Sequence, residues 1–262
     1  MHNFVYCIDK KFNLHAYLSM VSLLKSTSEN ISIYIIHKSP RSFVKYKKLL
    51  YKFFPNCKLY IIKFKFNIKK YPNLKNSHVS EATYYRMFIS DHIEENIEYI
   101  TYLDADAYIV KDPTESISQY IKKMKNENKI LSALSTNFIE EEKTRDIFNR
   151  LQISHKYFNA GVMILNVKEW KKQKISNNFK KLKDEISDSI LYWDQDILNK
   201  YFDGDYVDLS SSLNYLVNLE EDKKISGEIE IFHFVGKNKP WNTDSFDNEF
   251  KSFYDSLKYE FI

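Results

Sequence analysis

Short apolar runs rich in β-branched and aromatic residues alternate with stretches of helical period through the first 110 residues, and this alternation does most to limit the fold. Phe4 to Ile8 is one such run. Ala16 to Leu24 follows with helical spacing, Ile31 to Ile36 is a second strand, Phe43 to Phe54 a second helix and Leu59 to Phe64 a third strand. Strands separated by helices are joined by crossovers, so the expected class is α/β on a largely parallel sheet. Glu81 to Ile89 then reads as a helix and Tyr99 to Leu103 as a buried strand. Ligands of open α/β sheets bind beyond the carboxyl ends of strands, and Asp104 and Asp106 stand at such an end.

The second half continues with Ile130 to Leu134 and Gly161 to Val167 as strands, Lys168 to Ile186 as a basic helix, Asp194 to Phe202 as a short helix and Glu228 to Val235 as a late strand. The polar run Lys122 to Lys129 reads as a surface loop. No repeat, low-complexity tract or Gly/Ser linker divides the chain, which predicts one catalytic unit over residues 1–245 and a helical tail over 246–262. In that tail Phe250, Phe253, Tyr254, Leu257 and Phe261 recur at helical spacing. Docking onto the core is the expected use, and the lysines between them make peripheral membrane contact the alternative.

At 262 residues and 44% hydrophobic the chain is long enough to bury a sizeable core. A net charge of +4, with only four arginines among 39 basic residues, suits an anionic substrate or an acidic membrane face and argues against nucleic acid. Two cysteines, Cys7 and Cys57, are too few for a disulfide framework or a CxxC zinc site, so a reducing compartment is expected. There is no signal-like N-terminal segment or long apolar run. The expected location is the cytoplasm, with the inner face of the membrane as the peripheral option.

Alternate side chains of an extended segment point the same way, so Asp104 and Asp106 can offer both carboxylates to one hard cation such as Mn²⁺ or Mg²⁺. The spacing alone is weak. With 17 aspartates about one D-x-D arises by chance, and three occur, at 104/106, 194/196 and 203/205. The strand before the first pair sets it apart. A second reading gives that pair to a haloacid-dehalogenase-type phosphatase, as aspartyl nucleophile and acid, but Tyr108 stands where Thr or Val is usual, and the later acidic stretch at Asp205 and Asp208 has the wrong spacing.

Three later stretches carry polar residues that a core strand would not need. In Tyr157-Phe158-Asn159-Ala160-Gly161-Val162, the small pair opens a strand to close approach of a ligand, and Asn159 offers donor and acceptor to sugar hydroxyls. Trp193-Asp194-Gln195-Asp196-Ile197-Leu198-Asn199 places three polar side chains together, at least one aspartate being expected as a helix cap. In Phe232-His233-Phe234-Val235-Gly236-Lys237-Asn238-Lys239-Pro240-Trp241, a neutral imidazole suits a third metal ligand, Gly236 admits a phosphate and Lys239 can neutralise a leaving diphosphate.

These stretches, with the strand ending in Asp9 and with Ala82-Thr83-Tyr84-Tyr85-Arg86, resemble in order the retaining nucleotide-sugar glycosyltransferases of family 8, which include lipopolysaccharide galactosyl- and glucosyltransferases and glycogenin. The resemblance runs from about Phe4 to Trp241. It implies a GT-A fold, with a Rossmann-like mixed but mostly parallel sheet flanked by helices, together with Mn²⁺ (or Mg²⁺) and a UDP-hexose donor. By position it implies Asp104, Asp106 and His233 as metal ligands, with Ala105 between the two carboxylates in the donor site. Asp9 would take the uracil, with Ile8 and Val79 near the nucleoside. Arg86, Gly236 and Lys239 would contact the donor, and Asn159, Ala160, Gly161, Asp194 and Gln195 would surround the transferred sugar. Gln195, Asp194 and Lys239 are the catalytic candidates. Since the nucleophile position holds Gln195, a poor nucleophile, same-face attack is expected over double displacement.

Two departures stand out. Lys10-Lys11 replaces the acidic or amide residue that often follows the first aspartate, and Ser135-Thr136-Asn137 stands where relatives often present an acid to the sugar. A non-catalytic sugar-nucleotide-binding relative would keep this fold and lose the metal ligands, which are all present here. The resemblance implies a glycan, a glycolipid or a protein as acceptor.

Overall fold

The structure is a computed structural model that describes residues 2–68, 71–72, 80–136, 141–242 and 247–262, with the backbone alone at 141–144. Val79 and the 245/246 boundary lie outside the described residues.

Nine-residue-long or shorter strands build two sheets. The larger one takes β1 (His2–Ile8), β2 (Ile31–His37), β3 (Lys58–Lys63), β4 (Tyr99–Leu103), β6 (Leu131–Ser135), β7 (Phe158–Asn166) and β8 (Val207–Asp208), in the order β3-β2-β1-β4-β7-β6-β8. Only β7 runs against its neighbours β4 and β6, so the sheet is mostly parallel as expected. Antiparallel β5 (Ala107–Ile109) and β10 (Ile231–Phe234), with β9 (Tyr215–Val217) parallel to β10, form the smaller sheet.

Side-chain alternation divides the core in two. Phe4, Tyr6 and Ile8 of β1 face one side, where α1 (Asn13–Ser26), α2 (Val44–Phe53) and α8 (Glu249–Phe261) pack, with α3 (Thr114–Asn126) adding Ile117 and Met124. Val5 and Cys7 face the other, covered by a 3-10 helix (Glu81–Asp91), α5 (Val167–Lys172), α6 (Ile175–Glu185) and α7 (Trp193–Phe202). A small satellite core of Ile147, Leu151, Ile153 and Tyr157 forms under α4 (Glu141–Leu151). Helix α8 buries Phe250, Tyr254, Leu257 and Phe261, and the Tyr17 hydroxyl donates to the Phe261 carbonyl at 2.8 Å, so the terminal apolar stripe docks on the core. No helix among the described residues is long and apolar enough to cross a membrane.

Several elements differ from the sequence reading. The segment after Ser80 is a 3-10 helix with non-helical angles at Phe88, because its Thr, Tyr and Phe side chains are poor α-formers and it follows the core surface. The long basic helix breaks at Lys174, which takes φ +54°, so that Trp170 and Phe179 meet edge to face at 5.3 Å. Most of Lys122 to Lys129 is not a loop but the last turns of α3, whose Met124 is buried within a lysine-rich sequence that favours helix. Ala160 and Gly161 lie inside β7 rather than opening it. The late strand spans only Ile231–Phe234.

Candidate active site

Strand β4 belongs to the large sheet and β5 to the small one, and Asp104-Ala105-Asp106 is the crossing between them. The Asp104 N–H donates to the Gly161 carbonyl at 2.8 Å, and Ala107 N–H donates back to the Asp104 carbonyl at 3.1 Å, which fixes the turn. Antiparallel pairing sets His233 of β10 opposite Ala107. Its Nε2 thereby lies 3.3 Å from Asp106 Oδ1 and 3.7 Å from Asp104 Oδ2. One donor atom from each of the three comes within 4.8 Å of the others, and no other trio of His, Cys, Asp or Glu among the described residues does so. Two carboxylate oxygens and an imidazole nitrogen are a donor set for a divalent cation of the Mn²⁺ or Mg²⁺ type. Gly161 lies beneath the imidazole: a Cβ there would sit 2.0 Å from His233 Cε1. This glycine makes room for the histidine ring, not only for a ligand.

Cations already crowd the pair. Lys239 Nζ lies 2.7 Å from Asp106 Oδ2 and also donates to the Phe234 carbonyl. Burial alone would push the Asp106 carboxyl up, but Lys239 and His233 outweigh it and hold the group well below the usual range. Asp104 accepts from the Tyr102 hydroxyl and meets Arg86 Nη2 at 3.1 Å. Arg86 is buried, with its guanidinium over the Tyr102 ring, Nη1 donating to the Ala160 carbonyl at 2.6 Å and Nε 2.8 Å from Asp194 Oδ2. Thr83 donates to the other Asp194 oxygen. Burial pushes the Asp194 carboxyl up to about 6, against the pull of Arg86 and Thr83.

These groups line a cleft of about 750 Å³. Of the residues nominated from sequence, Ile8, Arg86, Asp104, Ala105, Asp106, Asn159, Asp194, Gln195, His233, Gly236 and Lys239 all border it. Ala160 and Gly161 lie just behind, their backbones held by Gln195 and Asn159: Ala160 N–H donates to Gln195 Oε1 at 3.0 Å and Gly161 N–H to Asn159 Oδ1 at 2.9 Å. Asp9 follows β1 outside the residues that line the cleft, and its side chain accepts from the Lys11 backbone N–H at 2.8 Å. Gly236 takes φ +75° with open space where a Cβ would stand.

Some site features carried no sequence signal. Trp193, a bulky residue at φ +52°, begins α7 at the cleft wall, and such strain clusters at ligand sites. Trp241 stacks on His15 at 3.6 Å, and His15 bonds the Tyr254 hydroxyl at 3.2 Å, tying the cleft to α8. Burial pushes His15 down to about 4, so the stack is with a neutral ring. The phosphatase alternative loses its second acidic motif: Asp205 pairs with Lys129 and Asp208 with Lys156, and neither lines the cleft.

Residues 3–245 match the profile of Glycosyl transferase family 8. The chain belongs to that family. It is therefore a glycosyltransferase, and its cleft carries a cluster of metal-ligating type. The lipopolysaccharide 1,3-galactosyltransferase of Salmonella typhimurium is 26% identical over 253 residues, covering 92% of this chain and 73% of the relative. The lipopolysaccharide 1,2-glucosyltransferase of Escherichia coli is 27% identical over 251 residues, 90% of this chain and 71% of the relative. A crystal structure of galactosyltransferase LgtC with donor and acceptor sugar analogues superposes with a TM-score of 0.81 at 19% identity, covering 98% of this chain and 95% of that one. The shared fold is GT-A.

Proposed function

We propose that this family member transfers a hexose, glucose or galactose, from a UDP-sugar to a carbohydrate or glycolipid acceptor with retention of the α configuration. The observation that carries this reading is the convergence of Asp104, Asp106 and His233 at the cleft wall with Lys239 on one carboxylate. The two lipopolysaccharide hexosyltransferases among the relatives support the hexose and the glycolipid class.

Asp104, Asp106 and His233 would hold the cation, Mn²⁺ before Mg²⁺ because imidazole suits the softer ion. When bound it supplies positive charge for the diphosphate. Breaking the sugar–phosphate bond leaves negative charge on UDP and positive charge on the anomeric carbon. Lys239, already at the metal-side carboxylate and followed by Pro240, is placed to neutralise the leaving group. Gly236 lets backbone approach the phosphates, and Ile8, Asp9 and residue 79 would receive the nucleoside.

Gln195 is bonded through both ends of its amide and Asp194 is engaged by Arg86 and Thr83. A neutral amide is a poor nucleophile and the Asp194 carboxylate is engaged on both oxygens, which supports same-face attack with the leaving phosphate taking the acceptor proton. Residues 1–245 would be the catalytic unit and 246–262 its docked tail. The excess of lysine supports work at an acidic cytoplasmic membrane face. The test is UDP release from a panel of UDP-hexoses with Mn²⁺ and with EDTA. Metal-dependent release from glucose or galactose donors is expected, and Mg²⁺-dependent phosphate release without a nucleotide sugar would overturn the reading.

A further inference from the structure

Gln195 faces the cleft, but its amide is anchored on the other side by a chain of hydrogen bonds whose directions are forced one after another. Arg150 of α4 sets Nη1 2.8 Å from Asp196 Oδ2. The same oxygen accepts from the Leu191 and Tyr192 backbone N–H groups, each at 2.8 Å. Asp196 is fully buried, and its Oδ1 accepts from the Tyr157 hydroxyl at 2.8 Å. A carboxylate paired with arginine can only accept, so the phenol must spend its single proton there. Burial, and then Asp196, push the Tyr157 pKa well above the usual value, which keeps that proton in place.

The phenol oxygen is left as an acceptor, and Gln195 Nε2 donates to it at 3.1 Å. At the other end Ala160 N–H, which can only donate, takes Gln195 Oε1 at 3.0 Å. The two ends of a glutamine amide are alike in shape and opposite in chemistry, so these two partners decide which is which. One N–H and one lone pair of the amide remain for the cleft, in a fixed order. Packing does not require this arrangement. Tyr157 sits among Ile147, Leu151 and Ile153, where a phenylalanine ring would pack equally well.

We propose that Tyr157, Asp196 and Arg150 are positioning residues that fix the polarity and place of the Gln195 amide, and that this amide distinguishes epimeric hexoses of the donor. The inference rests on the hexosyl-transfer reading. Epimers differ in the direction of one hydroxyl, and a donor and acceptor held in a set order match one direction better than the other. Released from Tyr157, the amide is held at one end only and swings, and the discrimination falls.

The experiment measures kcat/KM for UDP-glucose and UDP-galactose, and for their N-acetyl counterparts, on the wild type and Tyr157→Phe, with Tm and Mn²⁺ binding followed on both proteins. The preference between epimers is expected to fall about tenfold, about what one neutral hydrogen bond carries, while Mn²⁺ binding stays near wild type and Tm drops only by what the lost hydrogen bond to buried Asp196 costs. A folded variant with an unchanged ratio, or with both donors slowed equally, overturns the proposal. Asp196→Asn, which can itself donate to the phenol oxygen and so frees the phenol proton, is the second variant should Tyr157→Phe not fold. The same loss of preference is expected from it, and an unchanged ratio again overturns the proposal. A wild type that turns over no UDP-hexose fails the hexosyl reading instead, and is distinguishable by that.

Discussion

Asp104 and Asp106 lie in a turn between two strands and bring their carboxylates to one histidine, whereas Asp194 and Asp196, with the same spacing, lie on α7 and send theirs to different partners. Asp194 meets Arg86 and Thr83; Asp196 meets Arg150 and Tyr157. The tight turn closed by the Ala107 N–H on the Asp104 carbonyl brings the first pair together, whereas residues two apart on a helix are about 200° apart around the axis. The third pair, Asp203 and Asp205, is different again. Asp203 accepts the Ser154 and His155 N–H groups, and Asp205 pairs with Lys129 at the surface. Three identical spacings thus give a metal-type cluster, a buried scaffold and a loop clamp. The backbone beneath the pair decides, together with how much positive charge the chain already supplies.

The comparison breaks first, and most heavily, at Asp106→Ala. UDP release should fall by about a thousandfold, roughly 4 kcal/mol of barrier, with the fold retained, because Lys239 keeps the Phe234 carbonyl as partner and the like charge beside Asp104 is removed. Asp196→Ala should do the reverse and lose about 3 kcal/mol of folding stability in a denaturant titration, since Arg150 would keep a mostly buried charge with its main partner gone. An alanine variant of the first pair that unfolds, or one of the second that stays fully stable, would erase the distinction.

Smaller changes sharpen it. Gly161→Ala drives a Cβ into the His233 ring, and Mn²⁺ affinity should drop about 10- to 100-fold in a calorimetric titration. Lys239→Met removes the ammonium that occupies Asp106 Oδ2. Mn²⁺ should then bind up to about tenfold more tightly without donor, although turnover falls; weaker Mn²⁺ binding would show that the lysine does not compete for that oxygen.

The smallest effect is a pH dependence. Burial holds the folded Asp194 carboxyl at about 6, above its ordinary 3.8, so the native chain holds its proton more firmly than the unfolded one. The stability this contributes is complete below pH about 4 and is lost as pH rises through about 6. Chemical denaturation of Asp194→Asn across that window should be flatter with pH than the wild type.

Much of this was open to reading from sequence. The alternation of Phe4–Ile8, Ala16–Leu24 and Ile31–Ile36 is a local pattern, and the α/β class followed from it; Tyr99–Leu103 was placed to the residue because a buried apolar strand ends abruptly at Asp104. The metal-type trio was reached through motif order, not spacing. What stayed hidden depends on contacts distant in the chain. Nothing local marks Gly161 as the seat of His233, 72 residues on, or Arg150 as the partner of Asp196, 46 residues on. Lys122–Lys129 misled because a helix with a single buried methionine in its last turns looks polar throughout. Trp193 at φ +52° breaks the residue preference for that conformation and is held by its surroundings.

Calorimetric Mn²⁺ titration of the wild type, Asp106→Ala and Asp194→Asn tests most directly that the first pair, and not the second, holds the metal. The account predicts one site in the wild type, none in Asp106→Ala and a retained site in Asp194→Asn. Binding that survives in Asp106→Ala and vanishes in Asp194→Asn would contradict it.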